Sequence, residues 1–250
     1  MTVARETRLL MGMPITVEIV DPVSPGVLSD AFEYFAGVDE RFSLYKDDSE
    51  ISALNEGRSS YSQISGEMRE VLELADRTRR ESNGFFEIRR PTGGLDPSGI
   101  VKGWAVRNAA DLIRQSGAEN FCVEAGGDIQ CRGKNRHGEA WIVGIQNPLN
   151  AGEIIKRVTP EGRGVATSGT SARGQHIYNP HNPSQPIDDI VSLTVIGPDV
   201  LEADRFATAG FAMGKAGIFF IEQLDGIEGY MVEANGRATC TSGFGAFVSP

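Results

Sequence analysis

Residues 202–214, "EADRFATAGFAMG", are the most informative stretch of the chain, because they combine a helical pattern with an acid and a hydroxyl in register. Apolar positions such as Phe206 and Phe211 recur at the spacing of an amphipathic helix. Asp204 and Thr208 are four residues apart, so a helix places both side chains on one face. That face is either a solvated surface with an acid near the helix start, or a site where small neighbouring alanines let a ligand come close.

Length and charge narrow the classes of protein. The chain has 250 residues, of which 40% are hydrophobic, enough for a sizeable core. Its formal net charge is −10, with 34 acidic residues against 24 Lys and Arg, which argues against a nucleic-acid partner. No run of about 18 apolar residues occurs, so we expect no membrane-spanning helix. We expect a single domain over residues 1–250, either as one body or as two lobes around a cleft.

The N-terminal residues and the cysteines bear on the compartment. The start lacks the pattern of a secretory signal peptide, which predicts a cytoplasmic protein, although an exported protein whose signal had been removed would read the same. Cys122, Cys131 and Cys240 form no CxxC pair and are odd in number. We therefore expect ordinary buried thiols in a reducing compartment rather than ligands or nucleophiles.

The order of predicted elements indicates an α+β fold, with an antiparallel or mixed sheet and helices packed to one side. Helical spacing and capping residues predict helices at 26–41, 47–57, 66–82, 100–115, 200–213 and 216–224. Short β-like runs predict strands at 14–20, 85–89, 120–125, 128–133, 140–146, 154–159, 164–168, 190–197, 229–234 and 237–242.

Two glycine-rich stretches are candidates for ligand contact. "LDPSGIVKGWA" at 95–105 places Asp96 and Lys102 near a helix start, where main-chain N–H groups and a cation attract anions. "VEAGGDI" at 123–129 is either a hairpin turn or a backbone that approaches a ligand closely. Neither stretch has the phosphate-loop or dinucleotide pattern, so the common nucleotide-binding folds are not supported.

Taken together and in order, these motifs resemble one known family, the ApbE family of FAD:protein FMN transferases. The resemblance covers nearly the whole chain and is carried by "MGMPITVEI", "RFSLYKDDSEISALN", "LDPSGIVKG", "EAGGDI", "WIVGIQNP", "ATSG", "HIYNP" and "ADRFATAGFAMG". It implies an α+β fold with a mixed or antiparallel sheet and helices around a deep FAD cleft. It further implies Mg²⁺-dependent transfer of FMN from FAD to a Thr or Ser hydroxyl of an acceptor protein, with release of AMP.

The resemblance also implies roles for individual residues. Asp204, Thr208 and the main-chain carbonyl of Ala125 would be Mg²⁺ ligands. The chemistry agrees, since Mg²⁺ prefers oxygen ligands and a carboxylate and a hydroxyl one helical turn apart can reach one ion. His176 would be the base that removes the acceptor proton; alternatively it only holds backbone or ligand by hydrogen bonds.

Contacts to FAD are also implied by resemblance, for Met11, Tyr45, Asn55, Asp96, Lys102 and Asp128. Tyr45 either stacks on a flat ring or is an ordinary half-buried tyrosine. Asp96 and Asp128 either accept hydrogen bonds from sugar hydroxyls or serve turn chemistry.

Several departures from the family pattern keep other functions open. The 90–96 segment is shortened, and Glu87, Arg107, Glu124 and Asn179 replace residues usual in the family. Besides a transferase, the chain could be an FAD pyrophosphatase that gives FMN and AMP, or a catalytically silent flavin-binding protein. The acceptor pattern D-x-x-S/T-G-A/S-S/T does not occur in the chain, so we expect the acceptor to be another protein.

Overall fold

The computed structural model describes residues 3–170 and 177–249. Its α-helices are α1 Val27–Phe42, α2 Glu50–Asn55, α3 Gly66–Glu81, α4 Ser98–Gln115, α5 Val200–Ala212 and α6 Gly217–Glu222. Its strands are β1 Ala4–Leu10, β2 Met13–Ile19, β3 Phe121–Ala125, β4 Asp128–Arg132, β5 Val143–Gln146, β6 Ile154–Val158, β7 Gly164–Gly169, β8 Ile190–Gly197, β9 Glu228–Glu233 and β10 Ala238–Cys240.

Eight of these strands form one sheet in the order β1-β2-β3-β4-β7-β8-β9-β10. Each pairing between neighbours in the sheet is antiparallel. Strands β5 and β6 form a separate hairpin. The predicted α+β class is confirmed, and the sheet is antiparallel rather than mixed. Within the described ranges, no helix is both long and apolar enough to cross a membrane.

The sheet is covered on both faces around β7, β8 and β9. Alternate residues such as Leu193 and Val195 pack with α5 and α6, whereas Ile196 and Tyr230 pack with Val143 of the small hairpin. A larger cluster holds α1, α3 and α4 against β2 and β3. The prediction that helices pack to one side is therefore incomplete, because the β5–β6 hairpin covers the other face.

Helix α5 lies at the centre of this packing. It begins at the N-cap Asp199, whose Oδ1 accepts a hydrogen bond from the Glu202 N–H at 2.9 Å. Eleven of its 13 residues are buried, and it contacts α4, α6, β7 and β8. Asp204 is only 3% exposed. The interpretation of the Asp204 face as a solvated surface is therefore wrong.

Two β predictions differ from the structure. Residues 85–89 form no strand, because side chains bind their main-chain donors: Ser82 Oγ accepts from the Phe86 N–H and Glu87 from the Arg89 N–H. Strand β1, in contrast, escaped prediction. It lies at the edge of the sheet and alternates half-buried with exposed positions, so it lacks a run of buried apolar residues.

The start of α5 packs directly on the backbone of β7, and glycine makes this possible. A Cβ added at Gly164 would lie 2.0 Å from the main-chain nitrogen of Val200. A Cβ added at Gly37, within α1, would meet no atom within 4 Å. The two positions therefore provide a matched pair for the same substitution.

We predict that Gly164→Ala lowers the free energy of unfolding by about 1–3 kcal/mol, since rigid main-chain atoms must move apart. Gly37→Ala should leave stability unchanged or raise it by up to about 1 kcal/mol, because alanine is the better helix former. Equilibrium urea unfolding measures both. Equal stability of the two variants would contradict this account of the α5–β7 contact.

Candidate active site

A cavity of about 610 Å³ opens where β4 and β7 separate. These two strands pair at only two positions, Ile129 with Val165 and Gln130 with Gly164. Beyond that point the sheet divides, and residues from both of its faces line the cavity. The volume is in the range of small-molecule sites.

One wall of the cavity is formed by the contact between α4 and α5. The Gly103 N–H donates to Asp204 Oδ2 at 2.8 Å, and the Gly99 carbonyl accepts from Thr208 Oγ1 at 3.4 Å. Gly99 and Gly103 are one turn apart on α4, as Asp204 and Thr208 are on α5. The absence of a Cβ at Gly103 is essential, because an added Cβ would lie 2.6 Å from the Cβ of Asp204.

Three charged groups meet beside this contact. Lys102 Nζ lies 2.6 Å from Asp128 Oδ2 and 3.8 Å from Asp204 Oδ1. Asp128 is fully buried, and its Oδ1 also accepts from the Thr167 N–H at 3.3 Å. Burial, together with the negative charge of Asp204, raises the pKa of the Asp128 carboxyl despite the nearby ammonium. The cluster thus contains two carboxyl groups and one cation.

This donor set fits a hard divalent cation. The Asp204 carboxylate, the Thr208 hydroxyl and the Gly99 main-chain carbonyl all present oxygen, which Mg²⁺ prefers. A bound divalent cation would favour the ionised form of both carboxyl groups, against the burial that raises the pKa of Asp128. Among residues 3–170 and 177–249, no three His, Cys, Asp or Glu side chains form a metal cluster. A cation here would therefore need the hydroxyl and main-chain oxygens, and Mg²⁺ commonly binds with few protein carboxylates.

The opposite wall is formed by hydroxyl side chains on β7 and β8, which sequence reasoning did not single out. Thr167 Oγ1 and Thr194 Oγ1 are 2.8 Å apart. Ser192 Oγ is buried and has no hydrogen-bond partner among the described residues. The alternation of Ser192 and Thr194 with apolar residues along β8 is a signal that could have indicated a polar stripe.

Some of the residues predicted to contact a ligand lie at the cavity, and others lie outside its lining. Asp96, Lys102, Asp204 and Thr208 line the cavity. Ala125 and Asp128 flank the turn formed by Gly126 and Gly127, which itself lines the cavity. Both glycines have positive φ, of 55° and 95°, so the segment is a hairpin turn as well as a cavity wall.

The other predicted contacts lie outside the cavity lining. Met11 occupies the β1–β2 turn with φ of 52°. The Tyr45 side chain is 98% exposed, rather than half-buried. Asn55 binds the main chain of Leu95 twice, at 3.0 and 2.7 Å, and thereby fixes the 88–96 segment. His176 lies outside the described residues.

The five departures from the family pattern also have different locations. Glu87 and Glu124 line the cavity. Arg107 lies on α4, where it pairs with Glu70 and Asn108, away from the cavity lining. Asn179 accepts from the His181 N–H at 2.9 Å, which is turn chemistry. The shortened 90–96 segment is a compact turn in which the Arg90 N–H donates to the Gly94 carbonyl at 3.0 Å.

The sequence model of the ApbE family matches residues 11–90 and 87–231 of the chain. An "FAD:protein FMN transferase" of Salmonella typhimurium is 29% identical over 189 residues, which cover 72% of this chain and 51% of that protein. A Vibrio cholerae protein of the same description is 34% identical over 131 residues, 48% of this chain and 39% of that protein. The chain therefore spans about half the length, or less, of these curated relatives.

Solved structures share the fold. An ApbE protein from Thermotoga maritima superposes with a TM-score of 0.88 at 19% identity, over 100% of both chains. A flavin transferase ApbE from Vibrio cholerae superposes with a TM-score of 0.86 at 22% identity, over 98% of this chain and 99% of that one. At these identities the likeness establishes the fold.

We predict that Lys102→Met destabilises the protein by about 3 kcal/mol in the absence of divalent cations and above pH 8, because burial raises the pKa of Asp128 to about 8 and the variant then leaves two buried carboxylates uncompensated. Adding Asp128→Asn should restore more than half of the loss, since one of those charges is removed. Urea unfolding in a chelator measures the double-mutant cycle.

Lys46→Met is the matched control for Lys102→Met, because Lys46 pairs with Asp39 at 2.7 Å on the surface. We expect little change in stability there. Equal instability of Lys102→Met with and without Asp128→Asn would show that the cluster is not held by its charges.

Proposed function

The chain belongs to the ApbE family, and we propose that it transfers FMN from FAD to a Thr or Ser hydroxyl of an acceptor protein, releasing AMP. The observation that carries the proposal is the polar pair on α5. Asp204 and Thr208 are held against the α4 backbone and line a cavity beside Lys102. The relatives described as FAD:protein FMN transferases support the same activity. The membership of eight strands in one sheet supports one transferase domain over residues 1–250.

Asp204, Thr208 and the main-chain carbonyl of Ala125 are the proposed ligands of Mg²⁺. Such an ion would neutralise and orient the pyrophosphate of FAD. The oxygens of Asp204 and Thr208, which lie together at the cavity wall, support this assignment.

The remaining cavity residues are proposed to bind and orient FAD. Lys102 adds a positive charge for the pyrophosphate, and Asp96 offers a carboxylate for sugar hydroxyls. Gly126 and Gly127 let the backbone approach the ligand, because neither carries a side chain. Tyr45 lies outside the cavity lining but presents an exposed ring, which we propose for stacking on FAD.

The proposed chemical step is an in-line displacement at phosphorus. The acceptor hydroxyl oxygen forms a bond to the phosphorus on the FMN side, while the bond from that phosphorus to the bridging oxygen breaks. AMP leaves with that oxygen, and the hydroxyl proton passes to a base. His176 is the proposed base, by its match to the histidine of the family motif. If water takes the place of the acceptor, the products are free FMN and AMP.

We predict that the full chain, with FAD and Mg²⁺, attaches FMN to a Thr hydroxyl of a D-x-x-T-G-A-T peptide and releases one AMP per modified peptide. Holding the hydroxyl in line with the leaving group gives the acceptor an advantage over free water. Mass spectrometry of the peptide and chromatography of AMP measure the two products. A peptide with Ala in place of both Thr residues is the substrate control.

Asp204→Asn is the enzyme control for this experiment. It keeps an oxygen that accepts from the Gly103 N–H but removes the charge, so we expect a folded protein with AMP release reduced roughly 10²-fold or more. Asp111→Asn, an exposed position on α4, should behave as wild type. An unmodified peptide beside abundant FMN would overturn the transferase and leave the pyrophosphatase. Absence of AMP would leave a flavin-binding protein.

We predict that His176→Ala lowers the single-turnover rate of transfer by roughly 10²–10⁴ while FAD affinity stays unchanged, as for loss of a general base. His137→Ala is the matched control, because His137 lies in an exposed turn. Flavin fluorescence reports binding, and rapid quench reports transfer. Undiminished transfer in His176→Ala would remove this residue from the mechanism.

A further inference from the structure

Two cysteines face one another across the hairpin whose turn carries Gly126 and Gly127. Cys122 on β3 is directly opposite Cys131 on β4, and their sulfur atoms are 2.6 Å apart. We propose that Cys122 and Cys131 form an oxidisable dithiol site, which a peroxide or a small-molecule disulfide converts to an intrachain disulfide across β3 and β4. The expectation that the thiols are buried is confirmed for Cys131 only, because Cys122 is half-buried and Cys240 is exposed.

The hairpin register suits such a bond. The two-residue turn has both φ angles positive and is flanked by the pair Ala125 and Asp128. In this type of turn the flanking pair is hydrogen-bonded. Pairs alternate along an antiparallel ladder, so the cysteine pair, three steps away, falls at a non-hydrogen-bonded position. There the two Cα atoms lie about 4.5 Å apart, within the range that a disulfide spans.

The surroundings give the two sulfurs different tasks. Cys122 is partly exposed and can meet an oxidant from solvent, whereas Cys131 is 2% exposed. The hydrogen bond with Cys122, together with burial, raises the pKa of the Cys131 thiol. Cys122 is therefore the sulfur that is oxidised first, and the Cys131 sulfur then attacks the oxidised Cys122 to form the disulfide. Cys240 lies on β10 at the sheet edge, four strands beyond β4 in the sheet order, and does not compete.

Hydrogen peroxide or oxidised glutathione supplies the two-electron oxidation that the disulfide requires. The Cys122 thiolate attacks one oxygen of hydrogen peroxide, which gives a sulfenic acid and, after proton uptake, water. The Cys131 sulfur then attacks the Cys122 sulfur and forms the S–S bond, and the sulfenic hydroxyl leaves with the Cys131 proton as a second water. Two thiols are oxidised and one peroxide is reduced. With oxidised glutathione, two exchange steps give the same bond and two glutathione thiols.

The bond would close a ring over residues 122–131, with the Gly126–Gly127 turn at its far end. Closing a loop restricts the unfolded chain, so the oxidised protein should be the more stable form. The site therefore acts as a reversible brace on the strand pair that ends at Ala125 and Asp128.

The test uses the full chain with Cys240→Ser, which removes the exposed third thiol. The reduced protein is treated with oxidised glutathione or hydrogen peroxide, quenched in acid and alkylated in denaturant. We expect free thiols to fall from two to none, a linked peptide pair containing Cys122 and Cys131, and a Tm higher by about 5 °C. A reductant should return both thiols and the lower Tm.

Cys122→Ser with Cys240→Ser is the matched control, and its Cys131 should remain alkylatable with no rise in Tm. Two free thiols in the Cys240→Ser protein after treatment with the oxidant would overturn the proposal. A stable glutathione adduct or overoxidation at Cys122 with Cys131 still free would also overturn it. A linked pair without a higher Tm would retain the site but refute the brace.

Discussion

The structure depends on one close contact between two helices. At Gly103, α4 approaches α5 so closely that any side chain would meet Asp204 and the Val200 carbonyl, at 2.6 and 2.9 Å from the added Cβ. The Gly103 N–H uses this proximity to donate to Asp204 Oδ2. A buried carboxylate needs such a donor, because burial without hydrogen bonds is costly. The contact therefore both packs the helices and makes an acid tolerable in the core.

The same helix carries a second buried charge, and its partners differ. The Arg205 guanidinium lies over the Phe206 ring at 3.9 Å and pairs with Glu81 of α3 and Glu202. Arg205 therefore joins α5 to α3, and its charge is paired with two carboxylates. The preceding residue, Asp204, instead shares the Lys102 ammonium with Asp128. The Arg205 charge is paired within the protein, whereas the Asp204 carboxylate lies at a cavity beside a second buried carboxyl group. That asymmetry is what distinguishes a structural ion pair from a candidate cation site.

Local signals were enough to predict most elements, because caps and periodicity act within one segment. Ser65 as N-cap and the apolar spacing of 66–82 placed α3 within one residue of its observed bounds. The strand prediction for 85–89 was wrong because the apolar run of this segment resembles a strand. The side chain of Asn55, 40 residues before Leu95, binds the Leu95 main chain and fixes the chain after this segment as a loop. For the site, the spacing of Asp204 and Thr208 could be read from sequence. The pairing of Lys102 with Asp128 could not, since it joins α4 to a strand 26 positions along the chain.

The division of the sheet between β4 and β7 explains how side chains of the buried helix α5 can reach a ligand cavity. Helix α5 lies on one face of β7 and β8, and the β5–β6 hairpin lies on the other. A complete ladder between β4 and β7 would separate the two sides. Because that ladder ends after two pairs, Asp204 and Thr208 on one face and Thr167 and Thr194 on the other border the same cavity. A ligand with an anionic middle and uncharged ends can thus place its charge at α5 while it remains in contact with the hairpin side. The short β4–β7 pairing is therefore as much a part of the site as the side chains that line it.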